Sequence, residues 1–213
     1  MTHNIDIPFI SIIITTFNRA YIIENALNSL LEQDFKNWQA IIVDDGSIDN
    51  TFNTIQKYCN NDKRFIYIYQ KNQKQAMAKN MGLTTAQGKY ITFLDSDDRF
   101  KPNHISSKVK LIAKYPEVDL FHGGVEITGD EYVPDRDNPD SKIHLNKCVI
   151  GGTFVFKREI LKKTGYFDNI KYGDDTAFFE KCINNNMTIY KTDLKTYIYN
   201  RNSSDSLCNN FKN

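Results

Sequence analysis

Four short runs of apolar, β-branched and aromatic residues recur along the first half of the chain. They cover residues 10–15, 38–43, 64–69 and 90–94. The stretches between them are each long enough for one helix, so the pattern predicts a βαβαβαβ order and a parallel sheet. In the first two runs the apolar residues are continuous rather than alternating, which is typical of strands that are covered by helices on both faces.

The stretch between the first two runs has the period of an amphipathic helix. From Tyr21 to Asp34 its apolar residues fall on one stripe of a 3.6-residue helix, which is expected to pack on the sheet. Beyond Lys101 the pattern is less regular. It predicts helices at residues 103–115, at 158–163 and just after Gly173, and strands at residues 119–123 and 152–156. The polar segment of residues 128–146 is expected to be a loop or an excursion over the site.

Composition limits the classes of partner. The 213 residues are 40% hydrophobic and 25% charged, which suits a globular domain with a sizeable core. The 27 basic and 26 acidic residues leave a formal net charge of +1, so no nucleic-acid partner is expected. The four cysteines lack CxxC or zinc-finger spacing and are expected to be free thiols in a reducing cytoplasm. No run approaches the ~20 apolar residues of a membrane span, and no signal peptide is expected.

Polar residues follow three of the four predicted strands at the point where each strand ends. The first strand is followed by residues 15–18 (TTFN), the second by residues 44–47 (DDGS) and the fourth by residues 95–98 (DSDD). Because ligands of parallel α/β sheets bind at the carboxyl ends of the strands, we expect these three turns to form one crevice.

The acidic cluster at residues 95–98 indicates a cation site. Asp95, Asp97 and Asp98 repel one another, and a divalent cation would neutralise that repulsion. Oxygen-only ligands favour Mg²⁺ or Mn²⁺ over zinc. A helix N-terminus that carries acidic residues before Pro102 is the structural alternative.

Two further acidic pairs have two interpretations each. Asp44 and Asp45 follow a buried strand, where they either meet a ligand or form a turn with Gly46 at positive φ. Asp174 and Asp175 begin a predicted helix and, taken alone, are more often a helix cap than a catalytic base. Neither pair decides the chemistry by itself.

Taken together, seven segments resemble the family 2 glycosyltransferases of the GT-A fold. The resemblance runs from about Phe9 to about Asn202, and the segments occur in family order. They are residues 11–18 (SIIITTFN), 42–51 (IVDDGSIDNT), 78–80 (AKN), 88–98 (GKYITFLDSDD), 151–156 (GGTFVF), 165–168 (GYFD) and 173–175 (GDD). The resemblance implies an α/β fold of the GT-A type, Rossmann-like, with a mostly parallel central sheet and helices on both faces.

We expect one domain over residues 1–213. Its first half, about residues 9–100, is expected to bind the nucleotide sugar. Its second half, about residues 101–202, is expected to form the acceptor side, and residues 203–213 a polar tail.

The resemblance implies a nucleotide diphosphate sugar as the donor, with UDP the expected nucleotide. Thr15 and Phe17 match positions that line the base pocket. Asp45 matches the carboxylate that accepts from the uracil N3–H, whereas Asp44 is expected to be buried and structural. The other positions that match donor contacts are Lys79, Asp95 and Ser96.

The resemblance also implies a metal ion and a general base. Asp97 matches the residue that binds Mn²⁺ or Mg²⁺, Asp98 is open as a further contact, and the cation would stabilise the charge on the departing UDP. Asp175 matches the base that takes the proton of the acceptor hydroxyl, with Asp174 open as the alternative. One of these two carboxylates is expected to cap the following helix. A single displacement would invert the anomeric configuration.

Three positions depart from the family pattern. Lys79 stands where the family usually has Arg, which keeps the charge and loses the bidentate fork. Lys74 stands where Gly is common in a flexible turn, and Asn200 where His is frequent near the closing loop.

Two other functions stay open. A sugar-1-phosphate nucleotidyltransferase has a similar sheet, although its glycine-rich phosphate loop is missing from residues 15–20. A non-catalytic nucleotide-sugar-binding module would share the donor residues.

The acceptor has no readable code. Glycan, lipid-linked and protein acceptors stay open, and surface polysaccharide or glycoconjugate synthesis is the setting that the family suggests. The expected location is the cytoplasm, with peripheral association at the inner face of the membrane left open.

Overall fold

A computed structural model describes residues 7–135, 138 and 140–202. The strands are β1 (Ile10–Thr16), β2 (Trp38–Asp44), β3 (Phe65–Tyr69), β4 (Tyr90–Phe93), β5 (Arg99–Phe100), β6 (Leu120–His122), β7 (Val125–Gly129), β8 (Tyr132–Pro134), β9 (Lys142–His144), β10 (Val155–Lys157), β11 (Ile189–Lys191) and β12 (Tyr197–Arg201). The α-helices are α1 (Ile23–Leu31), α2 (Thr51–Asn61), α3 (Gln75–Thr85), α4 (His104–Lys114), α5 (Leu161–Thr164) and α6 (Asp174–Asn184). Short 3₁₀ turns lie at Leu145–Lys147, Gly151–Thr153 and Arg158–Ile160.

The central sheet has the strand order β11-β6-β10-β4-β1-β2-β3. β1 pairs in parallel with both β2 and β4, and β2 pairs in parallel with β3. β10 is the reversed strand, because it runs antiparallel to both β4 and β6. The expected mostly parallel sheet is therefore confirmed, with the carboxyl ends of β1, β2 and β4 on one edge.

The continuous apolar runs pack on both faces of this sheet. Ile12, Ile14 and Ile42 belong to a buried cluster with side chains of α1, α2 and α4. The residues that alternate with them, Ile13 and Ile41, belong to a second cluster with side chains of α3 and α6. Because successive side chains of a strand point to opposite faces, only a fully apolar run can fill both layers. The predicted helices on both faces are confirmed.

The segment of residues 128–146 was expected to be a loop, and that prediction was partly wrong. β8 and β9 form an antiparallel hairpin within it, in which Val133 pairs with Ile143. Each strand has three residues, which is too short for an alternating pattern to stand out. Val133 is nevertheless 4% exposed, so the hairpin packs against the domain.

The closing loop expected near Asn200 is also different in the structure. Asn200 and Arg201 lie in β12, which pairs with β5 and β7 in a small second sheet.

Among the residues that the model describes, no helix is long and apolar enough to cross a membrane. Residues 203–213, the predicted tail, lie outside the described ranges. The proposed halves of the domain stay a prediction.

Candidate active site

A cleft of about 780 Å³ opens at the carboxyl ends of β1, β2 and β4. All the residues predicted for the site line it: Thr15, Phe17, Asp45, Lys79, Asp95, Ser96, Asp97 and Asp175. Asp174 lines it as well. Residues that are far apart in the sequence therefore share one cavity, and their individual roles remain predictions.

Asp44 and Asp45 have separate tasks although they are neighbours. Asp44 is 1% exposed, and its carboxylate accepts hydrogen bonds from the Ser47 N–H at 2.8 Å and the Tyr67 hydroxyl at 2.9 Å. It therefore stabilises the turn after β2, as expected of a structural residue. Gly46 lies in this turn with a φ of 89°, a value that favours glycine.

Asp45 faces the cleft and also organises the segment that leads into α3. Its Oδ1 accepts from the Gln70 side-chain amide at 2.7 Å and from the Gln73 N–H at 2.8 Å. Its Oδ2 accepts from the Lys74 N–H at 2.8 Å. An ionised carboxylate oxygen can accept a second hydrogen bond, so Oδ2 can still receive a donor from a ligand.

Lys74 stands where the family commonly has glycine, and its backbone adopts a conformation that is typical of glycine. Its φ is 75° and its ψ is 166°, a backbone conformation that residues with a Cβ rarely adopt. Such a conformation costs of order 1–3 kcal/mol and persists only where the surroundings enforce it. The hydrogen bond from the Lys74 N–H to Asp45 is one such constraint.

Phe17 and Thr15 extend from β1 and the turn that follows it. The Phe17 ring is 46% exposed at the cleft, which leaves a face available for stacking. The next residue, Asn18, has a φ of 53°, and its N–H donates to the Ser47 hydroxyl at 2.8 Å. This bond ties the turn after β1 to the turn after β2.

The acidic loop after β4 divides its carboxylates between the cleft and the interior. Asp95 and Asp97 line the cleft. Asp98 does not line it: it is 1% exposed and accepts from the Tyr197 hydroxyl at 2.5 Å and the Asn200 N–H at 2.7 Å. The interpretation of Asp98 as a further ligand contact was therefore wrong, because its carboxylate is committed to β12.

Asp95 and Asp97 suit a hard divalent cation. Burial, together with the nearby charge of Asp97, raises the pKa of Asp95 to about 6, even though Lys79 acts in the opposite direction. Within the described residues no group of three or more His, Cys, Asp or Glu side chains could by itself hold a metal. Mg²⁺ and Mn²⁺ commonly use one or two carboxylates and take other ligands from substrate phosphates, so the two carboxylates fit that mode.

Lys79 is a buried cation among the carboxylates. It is 5% exposed, and its ammonium forms an ion pair of 2.7 Å with Asp174. Burial alone would lower the pKa of Lys79, but Asp174, Asp175 and Asp95 outweigh burial and raise it to about 12. The ammonium also lies 5.1 Å from the centre of the Phe167 ring. Its charge is thus committed to α6, and a nucleotide contact by Lys79 stays a prediction.

Asp175 is held at the start of α6 by two backbone donors. Its Oδ2 accepts from the Gly151 N–H at 2.9 Å and its Oδ1 from the Thr176 N–H at 2.8 Å. Burial and the neighbouring Asp174 raise the pKa of Asp175, although Lys79 and the two hydrogen bonds act against them. A raised pKa is a property that a general base near neutral pH needs.

The expected helix cap at Asp174 or Asp175 was wrong. The N-cap of α6 is Gly173, with a left-handed φ of 77°, and no side chain caps the helix there. Asp174 is instead the partner of Lys79. The left-handed backbone explains why a glycine precedes the two carboxylates.

One wall of the cleft comes from residues that the sequence did not single out individually. It is apolar and is formed by the hairpin and the segment after it: Val133, Pro134, Ile143, Leu145, Val149 and Ile150. The segment is polar on average, so its isolated aliphatic residues do not form a recognisable pattern in the sequence. The segment does reach over the site, as predicted.

Comparisons with known proteins identify the family. Residues 11–165 match the model of glycosyl transferase family 2, which is well over half of the chain. The chain belongs to glycosyl transferase family 2. The predicted family and the predicted class of reaction, transfer of a sugar, are thereby confirmed. The family match favours a glycosyltransferase over the alternative of a nucleotidyltransferase.

Two relatives illustrate the similarity in sequence. The transferase is 37% identical over 192 residues to a putative teichuronic acid biosynthesis glycosyltransferase, TuaG, of Bacillus subtilis, covering 86% of this chain and 75% of the relative. It is 39% identical over 189 residues to a GalNAc(5)-diNAcBac-PP-undecaprenol β-1,3-glucosyltransferase of Campylobacter jejuni, covering 81% of this chain and 59% of that protein.

Two solved structures show the shared GT-A fold. TarS of S. aureus, residues 1–349 in complex with UDP-GlcNAc, superposes with a TM-score of 0.77 at 23% identity, covering 93% of this chain and 60% of TarS. The mannosyltransferase PcManGT of Pyrobaculum calidifontis, in complex with GDP-Man and Mn²⁺, superposes with a TM-score of 0.70 at 20% identity, covering 90% of this chain and 56% of that one. The transferase therefore spans about three fifths of each of these chains.

The ion pair of Lys79 yields a prediction about stability. Lys79→Met should lower the free energy of unfolding by about 3–5 kcal/mol, because it leaves Asp174 as a buried charge without its partner. Urea unfolding measures the change, and Lys71→Met, the same substitution at an exposed lysine outside the cleft, is the matched control. Adding Asp174→Asn to Lys79→Met should recover part of the loss. Equal effects of Lys79→Met and Lys71→Met would contradict the prediction.

Proposed function

We propose that this transferase moves a sugar from a UDP-sugar to an acceptor hydroxyl, with a divalent cation and with inversion of the anomeric configuration. The observation that supports it best is the single cleft that joins the three parts such a reaction needs. Phe17 and Asp45 lie at its nucleotide end, Asp95 and Asp97 lie at the end of β4, and Asp175 lies at the start of α6.

The nucleotide end can distinguish one base from another. The exposed face of Phe17 offers stacking to any base, so it does not select uracil. The Asp45 Oδ2 offers an acceptor to a base with a ring N–H at its edge, which uracil has at N3, whereas the ring N1 of adenine is itself an acceptor. Thr15, Ser96 and Lys79 are proposed as further donor contacts because they line the same cleft.

Asp97 and Asp95 would hold Mn²⁺ or Mg²⁺, with Asp97 the proposed direct ligand. The bound cation would supply positive charge to the diphosphate as UDP departs. Lys79, paired with Asp174, keeps the buried carboxylates of the cleft from repelling one another further. The chain itself would thus bind and orient the donor, while Lys79 opposes the rise that burial causes in the pKa values of Asp95 and Asp175.

Asp175 would take the proton of the attacking hydroxyl. Its carboxylate is oriented by the Gly151 and Thr176 N–H groups, and it stands beside the apolar wall on the side of the cleft formed by the second half of the chain. Attack by the activated hydroxyl on the face opposite the departing UDP gives inversion.

The acceptor is proposed to be a saccharide of a surface polymer, free or lipid-linked. The relatives support this, since one is named for teichuronic acid biosynthesis and another for an undecaprenol-linked glycan. The apolar wall would contact the acceptor near the reacting hydroxyl. Action in the cytoplasm at the inner face of the membrane follows from a lipid-linked acceptor and is part of the proposal.

The reaction class is tested by product analysis with Mn²⁺ present. We expect a UDP-sugar and a lipid-linked or glycan acceptor to yield free UDP and an extended acceptor, and UDP to bind more tightly than ADP by calorimetry. Equal affinity for UDP and ADP would remove the uracil assignment. Pyrophosphate formed from UTP and a sugar 1-phosphate would replace transfer with nucleotidyl transfer.

Asp97→Asn tests the metal site. It should leave the fold intact and lower Mn²⁺-dependent UDP affinity at least about tenfold, because the amide keeps the shape and loses the charge that a hard cation requires. Asp193→Asn removes an exposed carboxylate outside the cleft and should change nothing. An unchanged Mn²⁺ dependence in Asp97→Asn would place the cation on other residues.

Asp175→Asn tests the base. Donor affinity should survive, while transfer at saturating donor falls by something like 10²–10⁴-fold. In the parent enzyme the rate should decline on the acid side at a pH above the usual range for Asp, because the base must be ionised and its pKa is raised. Asp174→Asn should instead lower stability, since it leaves Lys79 unpaired. Full transfer by Asp175→Asn would move the role of base to Asp174.

A further inference from the structure

The hydroxyl of Tyr197 holds both ends of the acidic loop. Tyr197 lies in β12 with its side chain fully buried. Its hydroxyl donates to Asp98 Oδ2 at 2.5 Å and accepts from the Asp95 N–H at 3.3 Å. The two residues that these bonds join lie on either side of Ser96 and Asp97, so one hydroxyl contacts the loop on both sides of the proposed metal ligand.

The same hydroxyl lies against the Gly151–Thr153 turn. A Cβ added to Gly152 would lie 2.3 Å from the Tyr197 oxygen, so the ring reaches the turn only because Gly152 has no side chain. The preceding residue makes the matching contact on the other side: the Gly151 N–H donates to Asp175, and a Cβ there would lie 2.8 Å from the Asp175 Cβ. Gly152 thus lies against Tyr197, and Gly151 lies against Asp175.

We propose that Tyr197 is a positioning residue that couples the acidic loop to Asp175 through the Gly151–Thr153 turn. The proposal rests on the proposed function, in which the loop binds the cation and donor and Asp175 is the base. Tyr197 does not line the cleft, but in this proposal it sets the distance between the acidic loop and Asp175.

The physical argument is the buried carboxylate of Asp98. In the described part of the chain its hydrogen bonds come from the Tyr197 hydroxyl and the Asn200 N–H, both in β12. Loss of the hydroxyl leaves a buried acceptor half satisfied, and the loop must shift to find another donor. Metal coordination and proton transfer both depend on positions to within a fraction of an ångström, so a small shift affects both.

The contribution of the hydroxyl can be separated from that of the ring. The ring packs edge-on against Phe100, with centroids 5.7 Å apart, and near His104. Tyr197→Phe keeps this packing and removes the two hydrogen bonds. Tyr58→Phe is the control, because it also removes a tyrosine hydroxyl that donates a hydrogen bond, here an exposed one of 2.9 Å to Asn28, on helices outside the cleft.

The experiment compares the full chain with these two variants by calorimetry with UDP and Mn²⁺ and by kcat at saturating donor. We expect Tyr197→Phe to fold, to bind UDP with Mn²⁺ about tenfold more weakly and to lose about tenfold or more in kcat, the scale of leaving one buried polar group without its hydrogen bond. Tyr58→Phe should match the parent in both. Asp98→Asn, whose single amide oxygen can accept only one of the two bonds well, should reproduce the pattern and serves if Tyr197→Phe does not fold.

The possible outcomes distinguish the positioning role of Tyr197, its coupling to Asp175 and the proposed function. If Tyr197→Phe matches Tyr58→Phe while the parent is active, the positioning role is overturned and the proposed function stands. If UDP affinity falls and kcat at saturation does not, the coupling to Asp175 is overturned. A parent that neither binds UDP nor transfers a sugar overturns the proposed function itself.

Discussion

The charge of Lys79 is the interaction on which the site depends. Its buried ammonium pairs with Asp174 and is also influenced by the charges of Asp175 and Asp95, and all three carboxylates line the same cleft. Burial is the main cause that raises the pKa values of Asp95 and Asp175, and neighbouring carboxylates add to it, so both stay raised in spite of the lysine. Buried carboxylates of this kind favour the binding of positive charge, which is consistent with the proposed divalent cation.

The fold brings these charges together because several of them come directly after central strands. A parallel sheet places the carboxyl ends of β1, β2 and β4 on one edge, so a turn of polar residues costs little there and would be costly within the sheet. The second half of the chain then closes the cleft with α6 and the β8–β9 hairpin. Two glycines, Gly151 and Gly152, permit this closure, because a Cβ at either would collide with a side chain of the site.

The sequence predicted the central sheet, and the residues that it proposed for a site line one cleft, while their roles stay predictions. Continuous apolar runs are typical of strands with both faces covered, and acidic residues that follow such a run are conspicuous, so the pattern points to the Asp44–Asp45 pair and to Asp95. What it could not predict were the partners of each carboxylate. Asp98 differs from Asp97 only in its direction, and its contact with Tyr197 spans 99 positions of the chain. No local pattern records which of two adjacent acids faces a cavity.

The same limit explains the errors around α6 and the hairpin. A Gly-Asp-Asp sequence suits a capped helix start, but the cap is the backbone of Gly173, and the ion pair with Lys79 removes Asp174 from local use. The hairpin strands are three residues long, and their order comes from pairing with each other and from the buried side chain of Val133. Tertiary contacts decided these elements, whereas local propensity decided β1 and β2.

Asp45 shows how a structural and a binding role can coincide. Three donors from residues 70–74 converge on its carboxylate, and one of them belongs to Lys74, whose backbone is strained. The carboxylate thus holds the strained turn in place before any ligand binds. A base that then reaches Oδ2 meets an acceptor whose orientation is already fixed, so little ordering remains to be done on binding. The proposed selectivity for the base and the stability of the turn would therefore depend on the same carboxylate, and a substitution of Asp45 is expected to change both.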